Sequence, residues 1–302
     1  MFYVYDTARP RTRPFTQKFF DGVLKKLGTT NVVYKPILSF TEKGKLPYDA
    51  TGCASLGILR GTGMMFKAAK EQGINYYYID HAYFDPGYGG HQWLRVCKNL
   101  HTMNFMKEVP SDRWKQHHKK NHPVQPWKTF DKRGEYILIM PPTHAISWYN
   151  EIPAPGWEDE VVNKLKLMLD PDEHWRIKVR RKPDNPIVNK IGELVRLEKD
   201  PTASKTKLKD DLGQAQCVIS YNSTSALQAT LDGIPVITTD QNCCWPISFP
   251  LSVFENNNIK PKEFDNEPNR AKLVHWLAYN QFTSRELQEG IAWDIMEKNY
   301  GL

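Results

Sequence analysis

Residues 216–238, QCVISYNSTSALQATLDGIPVIT, form the stretch of sequence that decides the fold class. Residues 216–220 and 234–238 are short apolar runs rich in Val and Ile, which predict two buried strands. Between them, residues 223–231 predict a helix, and the Asp-Gly pair at 232–233 marks its end. A strand, a helix and a second strand joined by such short connections are typical of a parallel sheet covered by helices.

A run of small polar residues separates the first of these strands from the helix. The backbone N–H groups at a helix start have no partner within the helix and carry partial positive charge, so they attract anions. We therefore interpret the run as a seat for a phosphate or diphosphate, with ordinary helix N-capping as the alternative. The residues assigned to this seat are Ser220, Tyr221, Asn222, Ser223, Thr224 and Ser225.

The same alternation of strands and helices extends outward in both directions. In the second half it predicts strands at 135–140 and 175–180, a helix at 157–169, and two helices in the tail between 270 and 298. In the first half it predicts strands at 2–6, 31–36, 55–59 and 74–80, with helices at 15–27 and 64–73. Residues 84–134 lack this periodicity, apart from a helix near 110–119. The pattern predicts an α/β protein with two Rossmann-like, doubly wound lobes and a ligand cleft between them.

The charge distribution suggests a division into lobes and an anionic partner. Residues 1–134 carry a net charge of +12 and residues 135–302 one of −5, for a total of +7. We therefore divide the chain near 134/135 into a first lobe at 1–134 and a second lobe at 135–275, followed by a C-terminal segment at 276–302. A basic lobe favours a polyanion as its partner, although a solvated basic face is the alternative for any single run.

Composition excludes several classes of protein. Hydrophobic residues make up 40% and charged residues 25% of the chain, so intrinsic disorder is not expected. The sequence has no apolar run of roughly 20 residues, as a membrane span requires, and the opening segment does not have the pattern of a signal peptide. We therefore expect a cytoplasmic protein, in a bacterium or a virus-infected cell. Five scattered cysteines are interpreted as reduced thiols.

Two further segments follow predicted strands of the second half. Residues 176–183, RIKVRRKP, place basic side chains at a strand end, where Arg180 and Lys182 are suited to bind a diphosphate; a charged edge strand is the alternative. Residues 141–147, PPTHAIS, follow the strand at 135–140, and Thr143, His144 and Ser147 are candidate contacts to phosphate or sugar.

Residues 215–240 resemble the donor-binding segment of glycosyltransferases with two Rossmann-like lobes, the GT-B architecture. The resemblance rests on the strand, the small-residue run, the helix and the Gly-Ile-Pro-Val-Ile strand at 233–237. It is closest to transferases of capsular and surface polysaccharides and, more loosely, to phage enzymes that glycosylate DNA bases. In this family the helix commonly carries a Glu that binds the donor, and Gln228 stands at that position here.

The resemblance implies an N-terminal acceptor-binding lobe at 1–134, a C-terminal donor-binding lobe at 135–275, and a helix in 276–302 that packs back on the first lobe. It also implies a nucleotide-sugar donor, with UDP-glucose as the first choice, and direct displacement at the anomeric carbon without a bound metal. The departing diphosphate would be stabilised by the helix and the basic side chains. Small-residue Gly-Pro-Val segments also occur in sugar-nucleotide epimerases of the same architecture, which would not explain the basic first half. His117, His118 and His122 are interleaved with lysines, so we expect no metal there.

The first lobe offers candidates for the acceptor side of the reaction. Asp80 or His81, at the end of the strand at 74–80, is the candidate general base; a turn-capping Asp80 and a structural His81 are the alternative. The glycine-flanked Arg60 lies in a loop expected to approach the cleft. The residues assigned to acceptor binding are Arg60, His91, Arg95, Arg113, Lys115 and Lys119.

The charge and the interleaved aromatic residues favour double-stranded DNA with hydroxymethylated bases, such as 5-hydroxymethylcytosine, as the acceptor. A surface or capsular polysaccharide is the rival acceptor. A third possibility is a non-catalytic nucleic-acid-binding protein on a GT-B-like fold, which the Gln at position 228 would allow. The sugar, the nucleotide, the stereochemical outcome and the oligomeric state are left open.

Overall fold

The computed structural model describes residues 1–7, 9–85, 93–129, 132–152, 156–169, 176–190, 192–254 and 269–300. The chain divides into two compact units. The first unit comprises Met1–Met103, Val188–Val195 and Leu277–Leu302, and the second comprises Asn104–Ile187 and Arg196–Trp276.

A six-stranded sheet forms the centre of the first unit. Its strands are β1 (Phe2–Asp6), β2 (Val32–Pro36), β3 (Gly52–Leu56), β4 (Asn75–His81), β5 (Leu94–Lys98) and β12 (Gln281–Phe282). Their order in the sheet is β12-β5-β4-β3-β1-β2. The strands from β2 to β4 are parallel, whereas β5 is antiparallel to β4 and β12 is antiparallel to β5. Apolar and aromatic side chains bury β1, β3 and β4 on both faces, as parallel strands under helices require.

Five helices belong to the first unit. Helix α1 has Pro14 in its first turn and two lysines in its last, and it ends at Gly28 with a φ of 85°. Its face carrying Gly22 packs against the helices near the C-terminus of the chain. The helices are α1 (Arg13–Leu27), α2 (Leu38–Thr41), α3 (Thr62–Glu71), α10 (Ser284–Glu289) and α11 (Ile291–Tyr300).

A four-stranded parallel sheet forms the centre of the second unit, in the order β11-β10-β6-β7. Its core joins Ile137, Ile139, Cys217 and Ile219 of the sheet to Leu165 of the long helix α6. The strands are β6 (Tyr136–Met140), β7 (Arg176–Val179), β10 (Ala215–Ser220) and β11 (Val236–Thr238). The helices are α4 (Asp112–His117), α5 (His144–Tyr149), α6 (Trp157–Met168), α7 (Leu208–Gly213), α8 (Ser225–Leu231) and α9 (Arg270–Tyr279), which starts here and ends in the first unit.

A two-stranded sheet, β8 (Asp184–Val188) with β9 (Leu194–Lys199), lies where the chain passes from the second unit to the first and back. Short 3₁₀ turns cover Trp245–Ile247 and Leu251–Phe254. All five cysteines are buried and unbridged, as the reduced thiols of the sequence interpretation require. None of the helices in the described part of the chain has the length and apolarity needed to cross a membrane.

The structure confirms the α/β class and the parallel strands, and it corrects several predicted elements. The strand expected at 55–59 covers 52–56, because Gly57 turns the chain with a φ of 72°. Strand β5 lies in the segment expected to be irregular, and β5 and β12 make the first sheet mixed rather than fully parallel. The tail holds three helices, since Gly290, with a φ of 81°, ends one and the next starts at Ile291.

The division into units departs from the predicted boundary at 134/135, whereas Leu277–Leu302 group with the first unit, in line with the return expected for 276–302. Residues 104–134, which contain eight lysines and arginines, group with the second unit. The first unit therefore carries 17 Lys and Arg against 12 Asp and Glu, a net charge of +5, and the second carries 24 against 22, a net charge of +2. The strong contrast between +12 and −5 along the sequence is thus largely lost between the folded units.

Candidate functional site

The two loops predicted to bind the donor follow neighbouring strands of the second sheet. The chain passes from β6 to β7 on one side, and later places β10 on the other side of β6. Ligands of open parallel sheets bind at the carboxyl ends of the strands at this kind of switch point. Ser220 pairs with Met140 in the register, and the Tyr221 N–H donates to the Met140 carbonyl at 3.4 Å. Residues 141–147 and 220–225 therefore emerge side by side from the same edge of the sheet.

Part of the polar run at 220–225 holds the turn itself together. The Ser220 Oγ accepts from the Ser223 N–H at 3.1 Å, and the Ser223 Oγ accepts from the Ser225 N–H at 3.2 Å. The buried Asn242 amide donates to the Ser223 carbonyl at 3.2 Å and lies 3.5 Å from the Ser220 Oγ. The capping alternative therefore describes Ser220 and Ser223.

Three other side chains of the run are not used in this way. Among the described residues, the side chains of Asn222, Thr224 and Ser225 have no hydrogen-bond partner, and none of the three is buried. The side chain of Thr224, at the N-cap of α8, makes no capping hydrogen bond. These three side chains remain available to a ligand at this edge of the sheet.

A cavity of about 630 Å³ opens at the carboxyl ends of β6 and β7. Its volume lies within the roughly 300–1,000 Å³ typical of small-molecule sites. Four residues assigned from the sequence to donor binding line it: Thr143, His144, Ser147 and Lys182. The His144 N–H donates to the Asn185 Oδ1 at 2.8 Å, which ties the loop after β6 to the far wall of the cavity.

Aromatic side chains supply much of the apolar wall. Trp148, Trp157 and Ile152 line the cavity. The ring of Tyr221 meets that of Trp157 edge to face, with centroids 5.6 Å apart. None of the described residues 220–225 belongs to the lining, and Tyr221 reaches the cavity wall through this contact with Trp157. Gln228 lies further along α8, where its Nε2 donates to the Asp232 Oδ1 at 3.1 Å.

The structure places Arg180 in a buried ionic cluster. Its Nη1 donates to Asp211, to the Ser204 Oγ at 2.9 Å and to the Thr206 carbonyl at 3.0 Å. The Lys178 ammonium also donates to the same Asp211 carboxylate, at 2.6 Å. Of the two basic residues assigned to the diphosphate from the sequence, Lys182 lines the cavity, whereas Arg180 does not.

Arg181 lines the cavity and was not singled out from the sequence. Its guanidinium donates to both oxygens of Glu158, in the first turn of α6, and its Nη1 donates to the Thr202 Oγ1 at 3.0 Å. Burial raises the pKa of Glu158 more than Arg181 lowers it, so the net shift is upward. Strand β7 ends at Val179, so simple strand alternation does not continue to Arg180 and Arg181. The adjacent basic pair at 180–181 was the available signal, and only the structure shows which member faces the cavity.

In the first unit, Asp80 and Arg95 stand opposite each other on β4 and β5. The Arg95 Nη2 lies 3.3 Å from the Asp80 Oδ2, the Tyr78 hydroxyl donates to the same oxygen, and the His81 N–H donates to the Asp80 Oδ1 at 2.8 Å. Burial disfavours the charged form, but Arg95 and Tyr78 outweigh it, so the pKa of Asp80 lies below its ordinary value. Arg95 is only 6% exposed and pairs with Asp80, so little of its side chain is accessible to an acceptor.

The remaining candidates for acceptor binding are divided between the units. Arg60 lies in the first unit, between β3 and α3, with a φ of 66° that is unusual for a residue other than glycine. Arg113, Lys115 and Lys119 lie in or just after α4 of the second unit. His91 is outside the described residues. His81 is exposed at the end of β4.

No metal centre is found in the described part of the chain, where no three His, Cys, Asp or Glu side chains come together as ligands. His117 and His118 lie on and just after α4 beside Trp114, and His118 is buried.

Comparison with known proteins gives limited similarity. No protein-family model matches the sequence, and no curated protein matches it. Two solved structures from Thermosulfurimonas dismutans are similar to it over most of their length. One is the KpsC beta Kdo 2,7 transferase, with a TM-score of 0.44, 10% identity and 99% of both chains covered. The other is the KpsC beta Kdo 2,4 transferase, with a TM-score of 0.41, 14% identity, and 93% of this chain and 91% of that chain covered. These TM-scores are too low to assign a family or an activity to this chain.

Proposed function

We propose that the protein is a glycosyltransferase that binds a nucleotide-sugar donor in the cavity of the second unit. The observation that carries the proposal is the convergence of residues 141–147 and 220–225 at the switch point between β6 and β10. The cavity at this edge has the volume of a small-molecule site, and its described lining combines Trp148 and Trp157 with two cations, Arg181 and Lys182, and three carboxylates, Glu158, Asp159 and Asp200.

The chemistry of the lining supports this donor class. Lys182 is a cation suited to the diphosphate, and Arg181, which pairs with Glu158, would exchange that carboxylate for the diphosphate oxygens. Trp148 and Trp157 offer apolar faces for a base or a sugar. Thr143 and Ser147 of the lining offer hydroxyl groups to the sugar and the phosphates, whereas Asn222, Thr224 and Ser225 lie outside the lining at the same edge of the sheet.

The proposed reaction is a direct displacement. An acceptor hydroxyl oxygen forms a bond to the anomeric carbon while the bond from that carbon to the phosphate oxygen breaks. The nucleoside diphosphate leaves with the electron pair, stabilised by Arg181 and Lys182, and the hydroxyl proton passes to a base. Asp80 and His81 remain the candidates for this base. The lowered pKa of Asp80 makes it the weaker proton acceptor, which favours His81.

We propose a glycan as the acceptor ahead of hydroxymethylated DNA. The case for DNA depended on a strongly basic acceptor lobe, and the net charges of the two units are only +5 and +2. Arg113, Lys115 and Lys119, three of the basic residues assigned to DNA, belong to the unit that holds the donor cavity. DNA glycosylation therefore stands as an outcome of the test and not as the leading proposal.

Isothermal titration of UDP-glucose and other nucleotide-sugars tests the donor site. We expect saturable binding of at least one of them. Lys182→Gln should weaken it about tenfold, as expected for one lost hydrogen bond to a charged group. Lys70→Gln, an exposed lysine of α3 in the first unit, is the matched control and should leave the affinity unchanged. Absence of binding for the whole panel, or equal loss in both variants, would reject the proposed donor site.

A further inference from the structure

A second cavity of the second unit lies at the opposite edge of the same sheet. Its volume is about 550 Å³. Its wall includes Lys132 ahead of β6, Gly213 ahead of β10, and Asp232 ahead of β11. These positions mark the amino ends of the parallel strands, whereas the proposed donor cavity lies at the carboxyl ends. The two cavities are therefore separate sites.

Three lysines line this second cavity: Lys128, Lys132 and Lys209. None of them forms an ion pair with any residue in the described ranges. Among the described residues, the lining contains one carboxylate, Asp232, which accepts a hydrogen bond from Gln228 at 3.1 Å. The described part of the wall therefore carries an excess of two positive charges.

The three lysines line one cavity. A cavity of this volume is about 10 Å across, more than the Debye length of about 8 Å, so repulsion between the exposed ammonium groups is largely screened. An anion with two or more charged groups inside the cavity could interact with several of the lysines at once.

The wall is held in place before any ligand binds. The Gln125 N–H donates to the Leu231 carbonyl at 2.7 Å, and the Lys128 N–H donates to the Gly233 carbonyl at 3.0 Å. The buried Arg270 donates to the Gln125 carbonyl at 2.7 Å.

The Trp127 side chain of this wall is fixed as well. The guanidinium carbons of Arg133 and Arg270 lie 5.4 and 5.3 Å from the centroid of the Trp127 ring. The backbone and Trp127 of the wall therefore lose little conformational entropy on binding, while the exposed side chains of Lys132 and Lys209 must still be ordered.

We propose that this second cavity binds a compact anion carrying at least two phosphate or carboxylate groups. A concave site about 10 Å wide suits a small anion or the end of an acidic oligosaccharide. It does not suit a nucleic-acid duplex, whose phosphates lie on a convex surface. The proposal does not depend on the donor site, because no residue lines both cavities.

The test is calorimetric titration with inorganic pyrophosphate and with trigalacturonic acid, with maltotriose as the uncharged control. We expect at least one of the two anions to bind saturably and maltotriose not to bind. Binding of pyrophosphate alone identifies a phosphate ligand, and binding of trigalacturonic acid alone identifies a carboxylate ligand.

Substitutions locate the binding. The triple variant Lys128→Gln, Lys132→Gln, Lys209→Gln should weaken it at least about tenfold. The control triple variant Lys43→Gln, Lys45→Gln, Lys70→Gln makes the same change of net charge at exposed lysines of the first unit, and should bind within about twofold of the unmodified protein. Because the donor cavity is itself proposed to bind a diphosphate, the titrations are repeated in the Lys182→Gln background, in which binding at the second cavity should remain. If the first variant fails to fold, the exposed pair Lys132→Gln, Lys209→Gln replaces it.

Three results would overturn the proposal. They are absence of saturable binding for both anions, equal weakening in the cavity and control variants, and loss of the binding in Lys182→Gln. The last result would assign the anion to the donor cavity instead.

Discussion

Asp211 organises the basic strand end of the second unit. Its side chain is 1% exposed and accepts hydrogen bonds from Lys178, Arg180, Ser204 and Thr206. Burial pushes the pKa of Asp211 upward, but these donors outweigh it and the net shift is downward. A carboxylate with a lowered pKa stabilises the fold at every pH above the pKa of about 3.9 that it has in the unfolded chain. This contribution disappears as the pH falls through the pKa that it has in the folded protein.

We predict that Asp211→Asn lowers the free energy of unfolding by about 3 kcal/mol at pH 7, since it leaves partly buried cations without their counter-ion. The variant should also lose less stability than the unmodified protein when the pH is lowered from 5 to 3. Urea denaturation at both pH values measures this. The neighbouring exposed Asp210→Asn is the control and should behave like the unmodified protein; an equal effect in both variants would contradict the assignment.

Substitutions at Asp80 and His81 distinguish a structural role from the proposed role as general base. Asp80→Asn removes the charge that faces the buried Arg95, so we expect it to destabilise the protein by about 3 kcal/mol. His81→Gln should leave the stability within about 0.5 kcal/mol, since its side chain is exposed. If His81 is the base, the His81→Gln variant should lower turnover about 100-fold or more without changing donor affinity. Normal turnover in His81→Gln would remove it as the base.

At the scale of elements, close helix packing depends on glycine. A Cβ built on Gly22 of α1 would lie 2.0 Å from the Leu287 carbonyl oxygen of α10, and one on Gly290 would lie 2.9 Å from the Gly22 carbonyl oxygen. The two helices therefore approach through their backbones, and neither backbone can yield as a flexible side chain would.

We predict that Gly22→Ala destabilises the protein by about 2 kcal/mol, because overpacking outweighs the gain of roughly 1 kcal/mol in helix propensity. Gly213→Ala is the matched control, since a Cβ there meets nothing within 4 Å and the residue ends α7. It should be neutral or slightly stabilising. Thermal unfolding followed by circular dichroism distinguishes these outcomes, and a stable Gly22→Ala would refute the close approach of α1 and α10.

Elements with strong local signals could be predicted from the sequence. Buried apolar runs bounded by turns predicted β6, β10 and the helix α6 to within one or two residues. Strand β12 was missed because its pairing with β5 joins residues almost 190 positions apart, which no local pattern encodes. Strand β5 pairs with the nearby β4, but it is short and lies in a segment without sustained periodicity. At the site, four residues proposed from strand ends line one cavity: Thr143, His144, Ser147 and Lys182. Residues 220–225 and Gln228 do not line it. The sequence favoured Arg180, whereas Arg181 lines the cavity, because the outcome depends on where β7 ends.

At the scale of the whole molecule, position along the chain does not determine membership of a compact unit. Residues 104–134 and 277–302 each group with the other half of the sequence. A charge balance taken along the chain therefore overstated the contrast between lobes, and with it the case for DNA. The arrangement within the second unit, with loops meeting at a switch point, follows from topology and is independent of that error.

The most direct test of the central claim is release of nucleotide from radiolabelled nucleotide-sugars. The assay starts with UDP-glucose and includes water alone, glycan acceptors, and duplex DNA with and without 5-hydroxymethylcytosine. We predict nucleotide release from at least one donor, with label transferred to a glycan. Arg181→Gln and Lys182→Gln should release nucleotide at least tenfold more slowly, whereas Lys70→Gln should not differ from the unmodified protein. Transfer of label to hydroxymethylated DNA alone would keep the enzyme class and replace the acceptor. No release from any donor, or release unaffected by Arg181→Gln and Lys182→Gln, would contradict the account.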